Sequence, residues 1–180
     1  MADITGKKIA FLLTDGVEQP ELTQPWEEVE KAGATPVLVS PKSDSLTAMK
    51  GDWDHADSFD VNVQVKNAKA SDYDALVLPG GTVNADTLRI DQDARAFVKQ
   101  FFEADKPVAS ICHGPWILID AGVADGRRMT SYESISTDLR NAGVEWVDQE
   151  VVVDGKLVTS RNPGDLDAFC AAFIEQVAAH

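Results

Sequence analysis

The sequence is poor in the residues that hold metals and cross-link chains, with three histidines and two cysteines among 180 residues. The cysteines, Cys112 and Cys170, lie in such different settings that no structural disulfide is expected, and that usage fits a reducing, cytoplasmic compartment. Cys112 and His113 have no further ligands at metal-binding spacing, so no metal site is expected, and nothing calls for a cofactor. Basic residues are short as well: 16 Lys and Arg stand against 30 Asp and Glu, a net charge of −14. That balance disfavours nucleic acid or an anionic membrane as the main partner, because both demand a basic face. No apolar run approaches the length of a membrane span, and the polar start at residues 1–6 lacks the apolar segment of a signal peptide. Repeats, linkers and low-complexity tracts are missing too. One domain over residues 1–180 is therefore expected, long enough for an ample core.

What is present is an alternation of short apolar runs and amphipathic stretches. Residues 8–13 read as a buried strand that ends at the turn Thr14-Asp15-Gly16. Leu22, Trp26, Val29 and Ala32 fall at helical spacing, and Gly33 stops that helix. Residues 35–40 form a second strand, stopped by Pro41. Residues 42–70 are less decided, with short strands expected near 46–49 and 58–65. Residues 75–78 read as a strand ending in Pro79-Gly80-Gly81, and 91–104 as an amphipathic helix. Residues 134–142 read as a helix, 151–160 as a hairpin with an Asp-Gly turn, and 166–177 as a closing helix whose apolar stripe includes Cys170. Such alternation predicts an α/β fold with a mostly parallel sheet covered on both faces.

The densest chemistry lies at Cys112. A strand over 108–111 runs straight into Cys112-His113-Gly114-Pro115, and a helix opens at Pro115 and closes at Gly122. This strand–turn–helix pattern resembles a nucleophile elbow. A thiol beside the free N–H groups of a helix should have its pKa lowered, to roughly 5–6 from about 8.5. The competing reading is a buried, inert cysteine at a strand end. Two more loops leave the carboxyl ends of predicted strands, 15–18 and 79–81, and parallel pairing brings all three to one edge of the sheet. His113 is the histidine next to Cys112, with an exposed helix-start residue as its alternative. The backbone N–H groups of Gly80, Gly81 and His113 are candidates for an oxyanion hole, against a plain tight turn. Glu18 is either a protonated donor to the sulfur or a carboxylate in a helix's first turn, and spacing favours the second.

Five stretches in this order resemble the ThiJ/PfpI family: DGVEQPEL at 15–22, YDALVLPGG at 73–81, KPVASICHGPWILIDAGV at 106–123, TSY at 130–132, and NAGVEWVDQEVVVDGKLVTSRNPGDL at 141–166. The superfamily includes the Parkinson-associated protein and PfpI-type intracellular peptidases, and His directly after Cys is similar to the PfpI branch. The resemblance implies a flavodoxin-like three-layer sandwich and a homo-oligomer, a dimer or larger. It also implies Cys112 as nucleophile, His113 as its partner and Glu18 hydrogen-bonded to the sulfur. Alignment on Leu88-Arg89 places Asp86 as the acid that serves the histidine of a neighbouring subunit, although the family acid is often Glu and the loop at 82–87 is one residue longer here. Trp116 stands where Gln is common, narrowing the pocket or packing on Tyr132, which lines its mouth. The function expected from this likeness is that of a stress-response cysteine enzyme acting on small reactive carbonyl compounds, glycated proteins or peptides. A cysteine peptidase and a redox sensor or chaperone are the alternatives.

Overall fold

Successive side chains of a strand face opposite sides of its sheet, so the unbroken apolar runs of this chain require cover on both faces. A computed structural model describes residues 2–180; Met1, where the expected domain and its polar start begin, lies outside them. In chain order the elements are β1 (Lys8–Leu12), α1 (Gln19–Lys31), β2 (Thr35–Ser40), β3 (Ser45–Lys50), β4 (Asp54–Asp60), β5 (Val63–Gln64), β6 (Ala75–Leu78), α2 (Thr82–Ile90) and α3 (Gln92–Glu103). There follow β7 (Val108–Ile111), α4 (Trp116–Asp120), β8 (Arg128–Met129), α5 (Ser136–Asn141), β9 (Glu145–Trp146), β10 (Val151–Asp154), β11 (Leu157–Ser160) and α6 (Leu166–Ala178).

Seven strands form the central sheet in the order β10-β11-β7-β6-β1-β2-β5. Its pairs are parallel except β10 with β11, the expected Asp-Gly hairpin. Ile9 and Phe11 of β1 join Leu22, Val29, Phe169 and Phe173 of α1 and α6 in one core. Ala10 and Leu12 face the other way, toward Phe97 and Phe101 of α3 and Ile117 and Leu118 of α4. This is the flavodoxin-like α/β sandwich. The chain moves outward from β1 to β2, then returns to place β6 on the other side of β1, so the strand order reverses between β1 and β6. At such a reversal the following loops part and leave a crevice at the strands' carboxyl ends. The loops after β1, β6 and β7 meet there, as expected.

Two features matter for the site. Within 42–70, where short strands are expected near 46–49 and 58–65, β3 and β4 form a hairpin with Gly51-Asp52-Trp53 at its tip, and β5 joins the edge of the central sheet. The amides of Gly16 and Met49 donate to Thr47 and Val17 carbonyls, which fastens β3 beside the first loop and carries the tip toward the crevice. Residues 82–87, expected as a polar loop, belong to the helix α2. Its inward side carries Asn84, Ala85 and Leu88. Asn84 has no exposure; its Oδ1 accepts from the Thr14 amide at 2.7 Å and its Nδ2 donates to the Pro79 and Gly80 carbonyls at 3.2 and 2.9 Å. One polar side chain thus ties the first loop to the second. A polar residue in the buried stripe hid this helix from hydrophobic periodicity.

Candidate active site

Cys112 follows β7 in a left-handed conformation, φ 62°, which residues other than glycine rarely adopt. The turn is held on all sides. The Cys112 amide donates to the Ser160 carbonyl, the Gly114 amide to Ile111, and the Tyr132 amide to the Cys112 carbonyl. A Cβ on Gly114 would come within 2.6 Å of the Leu78 carbonyl and 2.9 Å of that of Ile111, so glycine is required where the chain doubles back. The elbow expected from the sequence is therefore present.

Across the sulfur stands His113, with Nδ1 at 3.2 Å from Sγ. Its ring stacks on Tyr132, centroids 4.8 Å apart, and meets Trp116 edge-on at 5.6 Å. Nε2 lies 3.1 Å from Ser134 Oγ and 3.4 Å from Thr82 Oγ1. Burial lowers the His113 pKa, and the Asp52 carboxylate acts against that. Trp116 is anchored by its indole N–H, which donates to Asp138, and by the Arg89 guanidinium over its ring. Tyr132, half exposed, forms the rim beside an opening of about 770 Å³ that continues to Trp146, Asp148, Arg161 and Asn162.

The acid at the sulfur is Glu21, not Glu18. Glu21 has no exposure; its Oε2 accepts from the Gly80 amide at 2.7 Å, Oε1 has no hydrogen-bond partner among the described residues, and a Cβ at Gly80 would lie 2.5 Å from Oε2 and 2.6 Å from Cys112 Cβ, which sets the carboxyl beside the cysteine. Burial pushes its pKa up to about 8, so the neutral acid predominates near neutrality. Glu18 lies just before α1 and turns outward, accepting from the amides of Gly51 and Asp52 at 2.9 and 3.3 Å. The physical reason is helical phase. Glu21 shares the inward stripe of α1 with Leu22, Pro25 and Val29, whereas Glu18 precedes the first turn. A carboxylate on that buried stripe was the available signal.

Two further expectations change. The Cys112 thiol is shifted upward, not downward: burial is the main cause, the Glu21 carboxylate adds to it, and the amides of Gly81 and His113 oppose it. The helix α4 has five residues and starts four positions beyond Cys112, so its dipole does not offset desolvation. The Gly80 amide is committed to Glu21 and is not free for a substrate oxygen. A side chain at Gly80 would collide with Cys112 Cβ at 2.6 Å and with the Ile111 carbonyl at 2.8 Å. Asp86 is exposed on α2 and makes no side-chain hydrogen bond or ion pair among the described residues; the partner expected for it is the histidine of a neighbouring subunit. Asp52, Thr82 and Ser134, unmarked by any sequence motif, do reach the site.

A thiol between a neutral carboxylic acid and an imidazole can lose a proton to one neighbour while the other donates to the developing charge. A family model described as DJ-1/PfpI matches residues 7–176. Deglycase TK1284 of Thermococcus kodakarensis is 42% identical over 168 residues, which is 93% of this chain and 98% of that protein. Deglycase PfpI of Pyrococcus furiosus is 41% identical over the same length and shares. Among solved structures, Drosophila melanogaster DJ-1beta superposes with a TM-score of 0.87 at 25% identity, covering 100% of this chain and 92% of that one.

Proposed function

The chain belongs to the DJ-1/PfpI family, and from that premise we propose that it is a cysteine enzyme of reactive carbonyl compounds or glycation adducts. The observation that carries this reading is Cys112 Sγ set between two proton carriers, His113 Nδ1 at 3.2 Å and the Glu21 carboxyl whose pKa is about 8. The Cys112 proton passes to His113, and the thiolate attacks the aldehyde carbon of an α-oxoaldehyde. The carbonyl π-bond breaks, and its oxygen takes a proton from Glu21 or His113 to give a hemithioacetal. Moving the proton of the first carbon to the second carbon, and the hydroxyl proton of the first carbon's oxygen to the second carbon's oxygen, yields a thioester. Water then cleaves the C–S bond, releases a 2-hydroxy acid and restores the thiol. No amine has to leave, so the poor leaving group that burdens amide cleavage is avoided. The amides of Gly81 and His113 favour the anion of the sulfur.

The test is a panel of methylglyoxal, glycated amino acids, short peptides and casein, run on wild type and on Cys112→Ser. Turnover of the carbonyl compounds that disappears in the variant is the expected result. Peptide or casein cleavage without carbonyl turnover would replace this reading with a peptidase, and no Cys112-dependent turnover on any class would leave a sensor.

A further inference from the structure

The two hydroxyls beside His113 Nε2 are not equivalent. Thr82 Oγ1 donates to Asp52 Oδ2 at 2.8 Å, and the Thr82 amide donates to Asp52 Oδ1, also at 2.8 Å. With its proton committed to a carboxylate, the Thr82 hydroxyl offers Nε2 only lone pairs. It can accept from a protonated Nε2 and has nothing to give a bare one. Ser134 Oγ, whose one side-chain partner among the described residues is His113, can do either. Asp52 itself is held in a left-handed conformation, φ 63°, at the β3–β4 tip, where Glu18 accepts from its amide and from that of Gly51.

We propose that Asp52 is a positioning residue for His113, acting within the same chain through the Thr82 hydroxyl to hold the Nε2 proton and favour an imidazolium beside the Cys112 thiolate. This rests on reading Cys112 and His113 as the reacting pair. When the Cys112 proton moves to Nδ1, the sulfur keeps the S–H electron pair and the ring becomes a cation. Its Nε2–H then donates to Thr82 Oγ1, which still donates to Asp52, and no proton is lost from the line. The groups that face the ring are Cys112 of the elbow, Glu21 of α1 behind the sulfur, Asp52 of the hairpin tip and the stacked Tyr132. Asp52 is the carboxylate coupled to the imidazole, and its charge favours the cation against the burial that disfavours it. Asp52 also caps α2, because Gly81 has no side chain to do so. Capping alone would leave the ring unaffected.

Three variants of the full chain separate these roles. Asp52→Asn keeps an acceptor for the Thr82 amide and removes the charge. Thr82→Val keeps the amide and removes the hydroxyl, and Thr82→Ser restores it. The readouts are the His113 titration by NMR and the rate of Cys112 alkylation by iodoacetamide at pH 7, with the labelled site identified by mass spectrometry. Asp52→Asn and Thr82→Val should each lower the His113 midpoint by about one pH unit and slow alkylation about tenfold, with Thr82→Ser like wild type. An unchanged titration and rate in Asp52→Asn would leave only the cap. An effect in Asp52→Asn that is absent in Thr82→Val would overturn the relay in favour of a through-space charge. A wild-type Cys112 that resists alkylation would instead refute the reacting pair, and the His113 titration would still judge Asp52.

Discussion

Cys112 and Cys170 are the same residue at nearly the same depth, 6% and 5% exposed, and burial pushes both thiols up. Everything else about them differs. Cys170 sits in ordinary helix within α6, packed along the stripe of Phe169, Phe173, Ile174 and Val177, and its charged surroundings, Glu28 and Asp167, raise it further. Cys112 sits on a left-handed turn with an imidazole at 3.2 Å and the Glu21 carboxyl beside it. Depth therefore says little about reactivity. The thiol that can react is the one with somewhere to send its proton.

The largest effect expected from this contrast is on turnover. Cys112→Ser should lower the rate of carbonyl consumption by at least about a thousandfold, since a hydroxyl in that place has no comparable nucleophile to offer. Cys170→Ala should keep turnover within about twofold and lose about 1 kcal/mol of stability from lost apolar packing. Initial rates and thermal melts on the two variants check both halves. Loss of turnover in Cys170→Ala without a change in the melting temperature would break the contrast.

Glu21 and Glu18 sharpen it, because they repeat the comparison with a carboxylate. Glu21 and Cys112 each influence the other's ionisation, so their titrations belong to the pair. Removing the acid in Glu21→Leu should slow turnover roughly ten- to a hundredfold, and Glu21→Gln, which retains a donor, should lose less. Stability carries an independent signature. A carboxyl whose pKa rises from 4.5 to about 8 on folding binds its proton more tightly in the native state. Its contribution is therefore fully present below about pH 4.5 and is lost as pH rises toward 8, a change on the order of a few kcal/mol. Melting temperatures of wild type should fall relative to Glu21→Gln across that window. Parallel curves for the two proteins would place the Glu21 carboxyl outside the buried pair.

How much of this was legible follows from what each feature depends on. Continuous apolar runs bounded by Gly and Pro announced β1, β2, β6 and β7, and parallel pairing then forced three loops to one edge. The elbow was legible because Cys112-His113-Gly114-Pro115 interrupts two apolar runs with a residue pattern that only a tight turn accommodates. The choice between Glu18 and Glu21 depended on helical phase at the first turn of α1, where Pro20 shifts the start and boundaries are least certain. The helix α2 was hidden because Asn84, a buried tie between loops, occupies a position where an apolar residue would mark the stripe. The thiol shift went the other way because desolvation, a tertiary quantity, exceeds the dipole of a five-residue helix. Asp52 was beyond reach: it meets Thr82 from 30 residues away through a hairpin of weak pattern.

The smallest expected effect is at Glu18. Its carboxylate accepts from two amides of the hairpin tip and touches neither the sulfur nor the imidazole, so it stands four contacts from the thiol by way of Asp52, Thr82 and His113. Glu18→Ala frees the Gly51 and Asp52 amides to water at the surface, which leaves no buried donor unpaired and costs about 1 kcal/mol or less. The tip then samples more conformations, and Asp52 spends part of its time away from Thr82. A rate loss of two- to fivefold follows. The pH dependence of Cys112 alkylation keeps its shape, because Glu21 still stands beside the thiol. In Glu21→Leu both the rate and that shape should change. Alkylation measured across pH 5 to 9 on the two variants tells them apart. A Glu18→Ala profile that moves as far as that of Glu21→Leu would return the sulfur contact to Glu18.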